Sequence, residues 1–166
     1  MNFDRLAIRH KYSEIEIESA QGSGNMVNYW LCVTTEPNWK VVKKSKIWGV
    51  SEHNSKKIKC VEEGDPLVFY VIPKKIKGIL KATEKAFTSD TTIFVSKGPK
   101  KDETFPYRIR LQPVTIPKTP LAIEDVIPKL TFVIGKRMWE GYFRRAMQTI
   151  PEEDFTYIKC RLETRE

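Results

Sequence analysis

Residues 29–37, YWLCVTTEP, run from strand-forming residues straight into the start of a helix. Aromatic and β-branched side chains favour a pleated surface, so 29–35 is predicted to be a buried strand. Thr35 then offers a helix N-cap, Glu36 an early acid and Pro37 a first-turn proline. A helix over about 36–45 follows from these.

Working outward, KIWGVSEHN (46–54) places a Trp-Gly pair in a polar neighbourhood, ahead of the equally hydrophilic SKKIKCVEEGD. Two readings of Trp48 stand. Either the indole plugs one end of a small core, or its face is presented to something flat. Gly49 beside it would let backbone approach a ligand closely.

EEGD is a turn, and PLVFYVI (66–72) is a short apolar run of buried-strand type. KIKGILKATEKAF (75–87) reads as the next strand, with Gly78 marking a bulge or a close approach. Residues 88–105 are polar, contain Gly98 and Pro99, and make a long loop. In YRIRLQPVTI (107–116), Tyr107, Ile109 and Leu111 share one face and Arg108 and Arg110 the other. Helical signals appear near 121–129.

KRMWEGYFRRAMQ (136–148) carries Met138, Trp139, Tyr142, Phe143, Ala146 and Met147 at i, i+3, i+4 spacing, which predicts a helix. Its other face carries Lys136, Arg137, Arg144 and Arg145. Pro151 and the acids after it open a final helix.

Residues 1–27 read as an N-terminal extension: Tyr12, Ile15 and Ile17 alternate like a short strand before AQGSGN breaks the pattern. The main domain then spans 28–166. The pattern of several strands with short helices around them is α+β, a small mixed or barrel-like sheet rather than a doubly wound one.

With 166 residues, 40% apolar composition, and 8 Phe, 6 Tyr and 4 Trp, the chain has the means to build one core. No apolar run reaches the roughly 18 residues of a membrane span, and the N-terminus lacks a secretory h-region. Cys32, Cys60 and Cys160 have no CxxC spacing and read as reduced thiols in a cytoplasmic protein. Cys32, inside the first strand, reads as an inert core thiol. The net charge of +8 fits a polyanionic partner and fits equally well the charge-dense surface of a thermophile protein.

Catalytic signals are missing. His10 and His53 are too few for a histidine metal site, and GxSxG, Walker A and GxGxxG are absent. Gly22-Ser23-Gly24 lacks the strand-to-helix context of a phosphate loop. Glu62-Glu63 and Glu152-Glu153 sit at turns or helix starts, where capping explains them. No catalytic residue, metal or cofactor is expected. What remains is aromatic residues interleaved with basic ones, the chemistry of base stacking with a phosphate-binding rim.

Six segments in register carry a resemblance over some 130 residues: NYWLCVTTEPNW, IWGVSEHN, EEGDPLVFYV, KIKGILKAT, TFPYRIRLQPV and the closing W-x-x-YFRRAMQTIPEED. Together they resemble the EVE domain, a PUA-like family related to the YTH readers of methylated adenine, in its archaeal form. The resemblance implies a PUA-like β-barrel of about five to six strands flanked by short helices. It also implies a pocket for a flipped-out, modified base in DNA or RNA.

Carried over by position, Trp48 is one wall of an aromatic cage and the backbone of Gly49 meets the base edge. Thr34 and Thr35 supply polar contacts, Val50, Ser51 and Asn54 complete the turn, and Phe94 is the candidate second aromatic. Arg145, with Arg144 beside it, would meet a phosphate. The Asn-rich stretch that often follows the Trp in bacterial and eukaryotic members is here only Ser51, Glu52, His53 and Asn54, which leaves base preference open.

The chief expectation is a non-enzymatic module that binds nucleic acid carrying a modified base. One variant makes it the specificity module of a modification-dependent restriction system. Another makes it an enzyme or small-molecule sensor on the same scaffold, which would need a group such as Cys60 in the pocket. A third makes it a protein-interaction module using residues 1–25.

Overall fold

In a computed structural model of the chain, which describes residues 26–99 and 101–165, the first strand is covered on both faces. This strand, β1 (Tyr29–Thr35), sends Trp30 and Cys32 into one apolar cluster and Leu31 into a second on the opposite side. Successive side chains leave a strand by opposite faces, so a strand buried twice reads as one unbroken apolar run. Its start is pinned by the buried Asp65 carboxylate, which accepts from Trp30 Nε1 at 3.1 Å and from the Asn28 and Glu62 N–H groups at 3.1 and 3.0 Å.

β1 pairs in parallel with β3 (Pro66–Ile72) and antiparallel with β8 (Met147–Ile150). A parallel neighbour needs a long crossover. Here it is made by α1 (Glu36–Ser45), β2 (Ile47–Val50) and the one-turn α2 (Ser55–Ile58). Lys46, at φ 58°, ends α1 in the left-handed region and turns the chain into β2.

β4 (Lys75–Ala82) pairs antiparallel with β3, and β6 (Tyr107–Thr115) lies between β4 and β2. The strand order is therefore β2-β6-β4-β3-β1-β8. The short β5 (Phe87–Thr88) pairs with β6, and β7 (Leu121–Ala122) with β4. This mixed sheet curls into a half-barrel. One side buries Trp39 and Val42 of α1 with Trp48, Phe69, Leu80 and Ile109. The other buries Phe155, Ile158 and Leu162 of α3 (Glu152–Glu163).

Gly78 is both a bulge and a close approach. The register shifts there, with Gly78 opposite Phe69 and Ile76 opposite Tyr70. A Cβ on Gly78 would stand 3.0 Å from the Thr115 carbonyl and 3.1 Å from the Trp39 ring.

Several sequence expectations are corrected. Residues 136–148 do not form a helix: Trp139–Phe143 is a short 3-10 turn, and Met147 and Gln148 belong to β8. The apolar spacing suited either state. Gly141 weakens a helix from within, and the edge of β1 captures residues 147–150. Met138, expected on the apolar stripe, is 79% exposed. Residues 121–129 hold a two-residue strand and two 3-10 turns rather than a helix. The strand expected over 75–87 stops at Ala82 and resumes only as β5. Arg108 faces away from Ile109 as expected, yet it is buried beneath the long loop. Thr35 occupies the N-cap position of α1 but makes no side-chain capping bond. The expected strand around Tyr12–Ile17, the Gly22–Gly24 segment and His10 lie outside the described residues.

Candidate functional site

Among the described residues β2 is the end strand of the sheet and pairs with β6 alone, so one of its edges is open. The Leu111 N–H donates to the Lys46 carbonyl at 2.8 Å, which fixes the phase of the β2–β6 ladder. Bonded and non-bonded pairs alternate in an antiparallel ladder, so Gly49 and Arg108 form a non-bonded pair. The Gly49 N–H and carbonyl consequently turn away from β6 toward the open edge. Ile47, in the same phase, donates its N–H to Ser45 Oγ at 3.2 Å.

Between this edge and the C-terminal end of β1 lies a cavity of about 250 Å3. Thr34, Thr35, Trp48, Gly49, Val50, Ser51, Asn54 and Phe94, the residues singled out in the sequence, all line it, and so does Arg144. Arg145 is not among the lining residues; its guanidinium lies 5.3 Å above the Tyr142 ring. The volume is below the ~300–1,000 Å3 of a drug-sized ligand site.

The core reading of Trp48 holds. Its ring is 3% exposed and packs edge-on against Phe69, centroids 5.6 Å apart, so it is a core residue. It also forms a cavity wall. Phe94 also lines the cavity and packs edge-on with Phe105, centroids 5.9 Å apart.

The loop that carries Phe94 is held by two side chains. Asn38, in the first turn of α1, donates Nδ2–H to the Val95 carbonyl at 2.9 Å and accepts the Val95 N–H at 2.7 Å. Arg108 donates to the carbonyls of Phe105 at 3.0 Å and Thr104 at 2.9 Å, and to that of Thr91. Its guanidinium also lies 5.3 Å from the centre of the Phe94 ring. Burial draws that guanidinium below its ordinary pKa, and the Asp90 charge opposes the shift. Phe105 adopts φ 50°, a left-handed conformation a bulky residue rarely takes, at a cost of about 1–3 kcal/mol. The Arg108 bond fixes its carbonyl in place.

This arrangement assigns Gly49 a second requirement. A Cβ there would lie 2.7 Å from the Phe105 carbonyl oxygen and 2.9 Å from Phe94 Cε2. The space a side chain would need is filled by the loop, and only the backbone of Gly49 faces the cavity edge.

Asn38, Phe105 and Arg108 escaped the sequence reading as site residues. Asn38 left one signal: an Asn just inside a proline-started helix is a poor helix former, which suggests that its amide is used elsewhere. The roles of Phe105 and Arg108 depend on where the long loop lies, and no local pattern encodes that.

Among the described residues that line the cavity, the one ionisable side chain is that of Arg144. Cys60 is exposed and outside the cavity, with its Sγ 3.3 Å from the Lys56 carbonyl. Among the described residues no group of His, Cys, Asp or Glu converges as a metal site, and no helix is long and apolar enough to cross a membrane.

The chain shares this architecture and sequence with known proteins. A UPF0310 protein of Pyrococcus abyssi is 37% identical over 146 residues, covering 82% of this chain and 100% of that protein. The Mmi1 YTH domain, solved in complex with RNA, superposes with a TM-score of 0.61 at 12% identity, over 83% of this chain and 79% of that one. The YTH domain of Zygosaccharomyces rouxii MRB1, solved in complex with N6-methyladenosine RNA, gives 0.57 at 12% identity, over 84% and 87%. At such identities the two structures attest the fold alone. The EVE domain model matches residues 28–161, from just before β1 into α3, so this chain belongs to the EVE domain family.

Proposed function

We propose that this protein is a non-catalytic nucleic-acid-binding module whose cavity receives a flipped-out, modified base of DNA or RNA. The observation that carries the reading is the meeting of an aromatic wall, Trp48, with outward-turned backbone groups of Gly49 at one base-sized cavity. A base seated there stacks on Trp48 and Phe94, and its edge meets the Gly49 backbone and the Thr34, Thr35, Ser51 and Asn54 side chains. Val50 and Ile72 supply apolar wall for a methyl group.

Flipping a base costs a few kcal/mol, and stacking returns about 1–3 kcal/mol per base. Edge hydrogen bonds add about 0.5–1.5 kcal/mol each, so the pocket can recover the cost. In this reading Arg144, which lines the cavity, meets a phosphate, with Arg145 one residue on. The RNA complexes of the two YTH domains of like fold support a nucleic-acid partner.

A binding screen tests the reading. Matched oligonucleotides, modified and unmodified, DNA and RNA, are titrated at one stated salt concentration. A preference of roughly tenfold or more for one modified base is expected from an added stacking or edge contact. Equal affinity across every modification would sink it.

A further inference from the structure

A second cavity, of about 280 Å3, opens beside the first and shares two residues with it, Ile72 and Arg144. Tyr70 and Phe143 make its floor, with ring centroids 4.8 Å apart. The half-buried Trp139 stands over Phe143 as a side wall, nearly perpendicular to it at 5.8 Å. Ile72 is 48% exposed, a large aliphatic side chain left uncovered between the two cavities.

The rim is polar. Lys74 lies on one side, its Nζ 3.2 Å from Glu124 in an exposed pair, and Glu140 and Arg144 complete it. Exposed pairs of this kind hold their partners weakly, so Lys74 can exchange Glu124 for a phosphate.

We infer that this second cavity binds the base next in sequence to the flipped one, so that the protein reads a single-stranded step of two nucleotides. The inference rests on the base-binding reading of the first cavity. Three observations commit it to a nucleotide. The cavities are contiguous, as consecutive bases of one strand are. An aromatic wall with two flanking cations is the composition that stacks a base and tracks its backbone. Arg144 stands between the cavities, where the phosphate joining the two nucleotides must pass. Glu140 at the rim repels phosphate but accepts from the amino group of adenine or cytosine, which favours those bases in the second position.

The test uses the full chain and single-stranded pentamers with the modified base at the centre: N6-methyladenine, 5-methylcytosine or 5-hydroxymethylcytosine. In matched oligomers one neighbour at a time is replaced by an abasic residue, which removes the base and keeps every phosphate. Loss of the neighbour on one side, and only that side, is expected to weaken binding roughly tenfold. Trp139→Ala is expected to abolish that difference while binding the abasic oligomer as the wild type does, and Trp139→Phe, which keeps a ring face, to retain most of it. Affinity indifferent to both neighbours overturns the inference and leaves the first cavity standing. So does a Trp139→Ala variant that weakens the abasic oligomer equally. No preference for any modified centre overturns the base pocket itself, and this inference with it.

Discussion

Asn38 forms a two-bond pair with the backbone of Val95, fifty-seven residues away, donating at 2.9 Å and accepting at 2.7 Å. A side-chain amide and a peptide unit match donor to acceptor in this way, so the pair fixes both position and orientation of the loop. Phe94 is the neighbouring residue, and its place at the cavity follows from that anchor.

Asn38→Ala leaves the Val95 N–H and carbonyl without these partners. Groups that lose a partner while part-buried cost about 1–3 kcal/mol. The urea midpoint is expected to fall accordingly, with faster amide exchange at Val95. Asn38→Asp keeps the acceptor and loses the donor, so it should fall between. Unchanged exchange at Val95 in Asn38→Ala would show that the loop is held without this pair.

Gly49→Ala puts a methyl group 2.7 Å from the Phe105 carbonyl oxygen, a distance that forces strand or loop to move. Overpacking of this kind costs about 1–3 kcal/mol. The melting temperature is expected to drop, and binding to suffer beyond what the melt explains, because Phe94 moves with the loop. A Gly49→Ala protein that melts and binds as the wild type does would contradict the close packing.

The fold was legible in the sequence where local and tertiary preferences agree. β1 and α1 appear where YWLCVTTEP puts them, because strand propensity, a proline and an early acid point the same way. The segment 136–148 misled because Met138, Trp139, Tyr142 and Phe143 fit a helical period while pairing with β1 decides the outcome at Met147. The cavity's β1 and β2 residues were within reach because they lie on two short, recognisable segments. The Asn38–Val95 and Arg108–Phe105 contacts were not, since they depend on the path of an eighteen-residue loop without periodicity.

Arg144 and Arg145 are neighbours with different surroundings, one lining the cavity and the other lying over Tyr142. Arg144→Gln is expected to lower affinity for all oligonucleotides alike and to reduce the log–log salt slope by about 0.9 on a duplex or about 0.7 on a single strand. Arg145→Gln is expected to do less. The reverse order would transfer the phosphate contact to Arg145.

Burial pushes the Cys32 thiol well above its ordinary value of 9.0, whereas Cys60 and Cys160 are exposed. A thiol harder to ionise in the fold than in the unfolded chain contributes stability below pH 9.0 that is lost as pH rises beyond it. At about pH 8 a thiol reagent should label Cys60 and Cys160 in the native protein, and Cys32 only after denaturation. Labelling of Cys32 in the native state would place it outside the core.

The base pocket stands or falls on one ratio, the affinity for an oligonucleotide with the modified base over that for its unmodified match. It is measured for the wild type, for Trp48→Phe, which keeps a ring against Phe69 while shrinking the stacking face, and for Thr35→Val, which keeps the shape and removes the hydroxyl. Both variants are expected to fold and to bind unmodified oligonucleotide as the wild type does, with the ratio reduced roughly five- to tenfold by the lost stacking area or hydrogen bond. A ratio unchanged in both variants, with the wild type still discriminating, would place recognition of the modified base somewhere other than this cavity.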